Sequence, residues 1–236
     1  MVILTVAGFA IAQVYYGKIN RSADPRVKQA LVLYGRYNMY ASDGDHEMIL
    51  ALLDSIDNIY SAVPHYSNSY EKGVVQNNRA SVFLTRALED SLREEVRQNY
   101  FSLAEHHLIS GIKYYTSWLD TWGSLSEAEL LSALSDEFAA DQSLLIDRNL
   151  EAIVRKRVAD IITARNEANR RLSVSYTNLG VIRRHENRVE EAYEFYNKAL
   201  ELWEDNFAAR NNINILFGRP PERQSMIRKL FPPDRK

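Results

Sequence analysis

The sequence predicts an all-α protein assembled from antiparallel helix hairpins. Three observations carry that expectation. Apolar residues recur every three or four positions over most of the chain, which is the spacing of one helical face. Glycine and proline are scarce, 9 and 6 in 236 residues, and most prolines fall between the periodic segments. The stretch Ser173–Asn206 sets two such segments on either side of a short charged turn.

That stretch is the most specific in the chain. Gly180 and Ala192 fall where its two helices cross, and a side chain larger than a methyl there would push the axes beyond their usual ~8–10 Å separation. Tyr196 and Ala199 follow Ala192 at one-turn intervals and stay on its face. His185-Glu186-Asn187-Arg188 breaks the apolar pattern and makes the turn. Asn187 stands at its sharpest point, and Asn tolerates a left-handed backbone better than most residues.

With Tyr176, Leu179, Gly180, Ala192, Tyr196, Ala199 and Leu200 in these places, the hairpin resembles a tetratricopeptide repeat, a helix-turn-helix unit of about 34 residues. It departs in two positions: Arg183 replaces the usual aromatic, and Glu204 the common closing proline. The resemblance implies a right-handed superhelical stack of hairpins, a TPR-like α-solenoid. A weaker match begins near Gly73. There Ala80 aligns with Gly180 and Phe83 with the aromatic position, while Ala104, Leu108, Gly111 and Ile112 align with Ala192, Tyr196, Ala199 and Leu200. The extra residues around Leu88–Tyr100 are expected to lengthen both helices by roughly a turn and a half.

Earlier in the chain, Asp24-Pro25 reads as the opening of a first helix, with Val27, Leu31, Tyr34 and Tyr37 or Asn38 on one face. Ser42–Asp45 is a turn, and Asp45 caps a second helix bearing Ile49, Leu52, Leu53, Ile56, Ile59 and Tyr60. Asp43, Asp45 and Glu47 lack calcium-loop spacing, so capping is the better account. Tyr114, Tyr115, Trp118 and Trp122 extend the second helix of the enlarged hairpin as a stripe, read as core in preference to an interface. Ser126 with Glu129 forms a capping box before Leu130, Leu131, Leu134 and Phe138. A longer helix then runs from Leu150 through Ile162 towards the clear hairpin. Phe207–Gly218 reads as a capping helix, and 219–236 as a tail in which a short helix precedes Phe231.

Residues 2–16 are apolar except for Thr5 and Gln13, short of the roughly 20 needed to span a bilayer. Residues 1–21 form a segment apart from a repeat domain over 22–236. An export signal ending at Ala10-Ile11-Ala12 competes with an uncleaved anchor, and a buried soluble helix is the bland reading. The expectation is an anchored or exported chain, periplasmic or extracytoplasmic in preference to the cytoplasmic face. Lys18, Arg21, Arg26 and Lys28 after the apolar run argue for the opposite sidedness.

A formal charge of −2 gives no electrostatic reason to expect nucleic acid. With 0 Cys there is no disulfide, thiolate metal site or cysteine nucleophile. His46, His65, His106, His107 and His185 show no metal-ligand spacing, and no phosphate loop or paired-carboxylate arrangement is present, so neither cofactor nor enzymatic activity is expected. Arg170, Arg171, Arg183, Arg184 and Arg188 interleave with Glu186, Glu190, Glu191 and Glu194, the pattern of surface ion pairs.

Function is expected from the resemblance. Repeats of this kind bind peptides or partner helices on the concave surface of their first helices. Asn78, Asn178 and Asn212 share one position of that helix, and Thr177, Arg184 and Asn211 lie on the same surface. Asn offers a donor and an acceptor to a peptide backbone, and Arg184 suits a ligand carboxylate. Val74, Asn77, Ala208 and Asn211 replace the lysines of carboxylate-clamp repeats, which argues against recognition of a free chain end. The expected role is a scaffold that holds a protein partner. The alternatives are an accessory that binds a small ligand for transport, and a homo-oligomer that buries the Trp118/Trp122 face between copies.

Overall fold

The computed structural model describes residues 23–144 and 150–222; the apolar N-terminal stretch and the segment around Phe231 lie outside the described residues. Among the described residues all regular structure is helical. The α-helices are α1 (Lys28–Asp43), α2 (His46–Ser61), α3 (Tyr70–Ala87), α4 (Glu94–Trp122), α5 (Glu127–Ala139), α6 (Leu150–His185), α7 (Val189–Leu202) and α8 (Phe207–Leu216), with a 3-10 turn at Pro64–Tyr66. Neighbours in sequence pack as pairs: α1 on α2, α3 on α4, α6 on α7. In addition α6 touches α3, α4, α5 and α8.

Local chemistry sets most helix ends. Gly44 takes φ 72° between α1 and α2, and Asp45 accepts the Met48 amide at 3.1 Å as the N-cap of α2. Ser126 and Glu129 close both bonds of the capping box before α5. The start of α1 differs from the expectation. Asp24 does not cap a helix, because its carboxylate is taken up by Arg26, by the amide at 2.9 Å and by the guanidinium at 2.6 Å. The helix therefore begins only at Lys28. Its buried face is correspondingly rotated onto Ala30, Leu33, Tyr34 and Tyr37, leaving Leu31 half-buried.

The turn between α6 and α7 is held by Asn187 at φ 60°, the one non-glycine residue with positive φ among those described. A β-branched side chain there would meet its own backbone, at roughly 1–2 kcal/mol. Asn187→Val should lower the free energy of unfolding by about that amount in urea titration, while Asn187→Gly should leave it unchanged or slightly raised.

Two apolar cores form. The first gathers α1, α2, the 3-10 turn, the start of α3, Tyr115 and Trp118 of α4, α5, and the first half of α6 from Ile153 to Leu172. The second gathers Ala80, Leu84 and Ala87 of α3, Phe101, Ala104 and Leu108 of α4, Leu179, Val181 and Ile182 of α6, and Ala192, Tyr196, Ala199 and Ala209. Trp118 is 1% exposed, so it belongs to the chain's own interior and is not available to a second copy.

The α3/α4 hairpin departs from the expected register in one respect. Ala80 and Ala104 are both fully buried, but the glycine–tyrosine contact lies two turns further from the loop, where Gly73 faces Tyr115. A Cβ on Gly73 would stand 2.5 Å from that ring, and Gly180 faces Tyr196 in the same manner. The added length is also uneven. Beyond Ala80, α3 runs only to Ala87, much as α6 runs from Gly180 to His185, so most of the extra residues fall in the loop and in the first turns of α4.

Candidate functional site

Asn78 projects from α3, Thr177, Asn178 and Arg184 from α6, and Asn211 and Asn212 from α8. Contacts of α3 and of α8 with α6 bring these helices side by side. Arg184 donates to Asn212 Oδ1 at 3.1 Å, and Ser175 donates to Asn77 Oδ1 at 2.9 Å, which ties α6 to α3. Thr177 instead belongs to the seam of the hairpin. It donates to the Ser173 carbonyl at 2.8 Å and accepts from Asn206 at 2.9 Å. Asn206 also donates to Ser173 Oγ at 2.7 Å and caps α8 through Ala209, so it bolts α6 to the start of α8.

The row expected to face a groove is enclosed: Asn78, Thr177, Asn178, Asn211 and Asn212 are between 2% and 8% exposed, and Arg184 is half-buried. Asn211 is paired with main chain: the Glu222 amide donates to its Oδ1 at 2.8 Å, and its Nδ2 donates to the Glu222 carbonyl at 3.3 Å. Gly218, at φ 66°, turns the chain back over α8 so that Arg219-Pro220-Pro221-Glu222 reaches it. Asn78 is only 8% exposed, and its Nδ2 has no partner among the described residues. A buried amide without a partner costs on the order of 1–3 kcal/mol, and this nitrogen is enclosed, with essentially none of its surface reaching solvent.

The second polar feature was hidden in the sequence. Glu71 and Arg157 form a buried ion pair at 2.5 Å, joining α3 to α6. The guanidinium lies over the Tyr66 ring, 4.5 Å from its centroid, and also donates to His65 Nε2 at 2.9 Å. His65 Nδ1 in turn meets Glu137 of α5 at 3.0 Å. Beside this cluster Arg26 bridges Asp24 and Asp141, both at 2.6 Å, with its guanidinium over Phe138. Lys72 pairs with Asp57 at 2.6 Å, and Arg79 with Asp54 at 2.7 Å. Arg183, expected on the surface, is buried and bridges Glu105 of α4 to Glu186.

These environments set the charges. Burial pushes the Glu71 carboxyl up, but the Arg157 charge and hydrogen bond outweigh it and hold the group below its ordinary value. Burial raises Tyr66 far above the usual phenol range. Burial, with Arg79 nearby, brings His107 down to about 4, and its ring stacks on Phe83 while Nδ1 meets Gln76 at 2.7 Å. Asp141 is brought down to about 2 by its hydrogen bonds to Ser143 and Arg26. Among the described residues each charge of this cluster meets a partner of opposite sign, the arrangement of an internal brace.

Among the described residues no group of three or more His, Asp or Glu is placed to hold a metal ion, and no helix is long and apolar enough to cross a membrane. Comparison with protein-family models, with curated proteins and with solved structures finds no match to the chain.

Proposed function

We propose that this chain is a tetratricopeptide-type scaffold, a right-handed superhelical stack of hairpins that holds an extended segment of a partner protein along the asparagine row. Association with a membrane through the N-terminal segment is part of the same reading. The observation that carries it is the pairing of Asn211 with both main-chain groups of Glu222. One asparagine of the row thus grips main chain of the protein itself, using the donor and acceptor that a partner's backbone would need. Asn78, whose buried Nδ2 has no partner among the described residues, and Asn178 continue the row on α3 and α6, and Arg184 adds a positive charge beside Asn212. The match of Gly180, Ala192 and Tyr196 to the repeat pattern supports the family, and the Gly180–Tyr196 contact supplies its physical basis.

The test is comparative capture from solubilised membranes with the wild-type chain and with Asn178→Ala/Asn212→Ala. The expected result is a protein retained by the wild type and lost by the double variant, whose thermal midpoint stays close to the wild-type value. Loss of capture together with a collapsed midpoint would assign these asparagines to the fold, and unchanged capture would remove them from the binding surface.

A further inference from the structure

His65 occupies a closed slot. Its side chain is 2% exposed, with the rings of Tyr66, Phe138 and Trp122 around it at centroid distances of 4.9, 5.1 and 5.8 Å. The hydrogen bonds leave one protonation state. A guanidinium can only donate, so Nε2, which receives the Arg157 Nε–H at 2.9 Å, carries no proton. Nδ1 therefore bears the hydrogen and donates it to Glu137, whose two carboxylate oxygens both lie at 3.0 Å. The imidazole is neutral and held in a single tautomer.

Among the described residues the charges that act on it are Glu71 of α3, Glu137 of α5 and Arg157 of α6, while Asp24 and Arg26, from the turn before α1, act on its neighbours Tyr66 and Glu137. A proton added at Nε2 would point at the Arg157 N–H and set a second cation against the first. Arg157 cannot retreat, since Glu71 and the Tyr66 face hold it. Glu71 is already matched to Arg157. Glu137, the one carboxylate bonded to the imidazole among the described residues, is 41% exposed at the rim, where water weakens its hold. The imidazole is the part free to leave, and with it goes the tie between the 3-10 turn and α5.

We propose that His65 is an acid-sensitive latch, which fastens the C-terminal end of α5 to α3 and α6 while neutral and releases it when protonated. Burial, seconded by Arg157, holds the imidazole below its ordinary 6.5, against the pull of Glu137. The stability it contributes is therefore complete above that value and is lost as the pH falls below it. The hairpin of α6 and α7 is stabilised by other groups and stays closed.

Hydrogen exchange of the full chain at about pH 7.5 and about pH 5.5, corrected for intrinsic rates, tests this on either side of the ordinary histidine value. The comparison variant is His65→Gln, whose amide keeps an acceptor for Arg157 and a donor for Glu137 but does not titrate. In the wild type, acid should remove protection from residues 130–141 and leave residues 173–202 unchanged; His65→Gln should retain it at both pH values. Retained protection of 130–141 in the acidified wild type overturns the proposal, as does equal loss in His65→Gln. Should that variant not fold, the imidazole nitrogen spectrum of the wild type decides. An Nδ1–H tautomer that becomes a cation together with loss of α5 protection supports the latch. An Nε2–H tautomer, or a cation formed with α5 still protected, overturns it.

Discussion

Glu71→Ala is expected to lower the free energy of unfolding by about 3–5 kcal/mol, the largest effect of any single substitution considered for this chain. The cost arises mainly from what is left behind. Arg157 would keep its charge in a buried site with Tyr66 and a neutral histidine around it, and without the carboxylate that balances it. Replacing both partners with apolar residues of similar size, Glu71→Leu with Arg157→Met, should restore most of the loss, because no unpaired charge remains. Urea titration of the two single variants and the double variant measures the coupling directly. Near-additive losses would mean that the pair contributes as two independent side chains. Because Arg157 keeps the Glu71 carboxyl below its ordinary 4.5, the contribution is complete above that pH and disappears as acid passes through the folded value.

Gly180→Ala should destabilise the chain by about 1–3 kcal/mol, although alanine is the better helix former by about 1 kcal/mol. An added Cβ would stand 2.7 Å from Tyr196 Cδ1, and that ring is fully buried between α6 and α7. Neither helix can shift freely, since Ser173 and Asn206 bolt the seam on one side and Arg183 fastens α6 to α4 on the other. Combining Gly180→Ala with Tyr196→Leu should recover part of the loss by making room. Thermal unfolding of the single and double variants provides the comparison, and a Gly180→Ala variant as stable as the wild type would show that the ring can move aside.

The elements legible in the sequence are those fixed by local rules. Gly44, Asp45, Ser126, Asn187 and Gly218 act within a few residues of themselves, so their roles at helix ends follow from residue type and spacing alone. The apolar face of α2 and the interior position of Trp118 follow from periodicity in the same way. The interior ion pairs were not legible, because a Glu or Arg on a helix reads as solvent-facing until its partner is known. Glu71 meets Arg157, and Arg183 meets Glu105, across long separations in the chain that no local pattern encodes. For the candidate site, residue types on the first helices were enough to place the asparagines on neighbouring helices. They could not separate Thr177, which belongs to the hairpin seam, from Asn211, which meets main chain. The Gly73–Tyr115 contact was missed because Ala80 satisfied the small-residue pattern equally well one layer nearer the loop.

The 36-residue α6 carries a mechanical consequence. At 1.5 Å per residue it is a rod of about 54 Å, and it contributes side chains to both apolar cores without interruption. Arrays of separate hairpins can fray from one end, each unit opening with only its neighbour to notice. Here the rod is common property. Melting the first core would strip α6 of its packing from Ile153 to Leu172, and a fracture in that stretch would pass strain directly into the Leu179–Ile182 segment that the second core needs. Loss of the whole first core would therefore carry the second with it, whereas release of α5 alone leaves α6 packed on α3 and α4 and the rod unbroken.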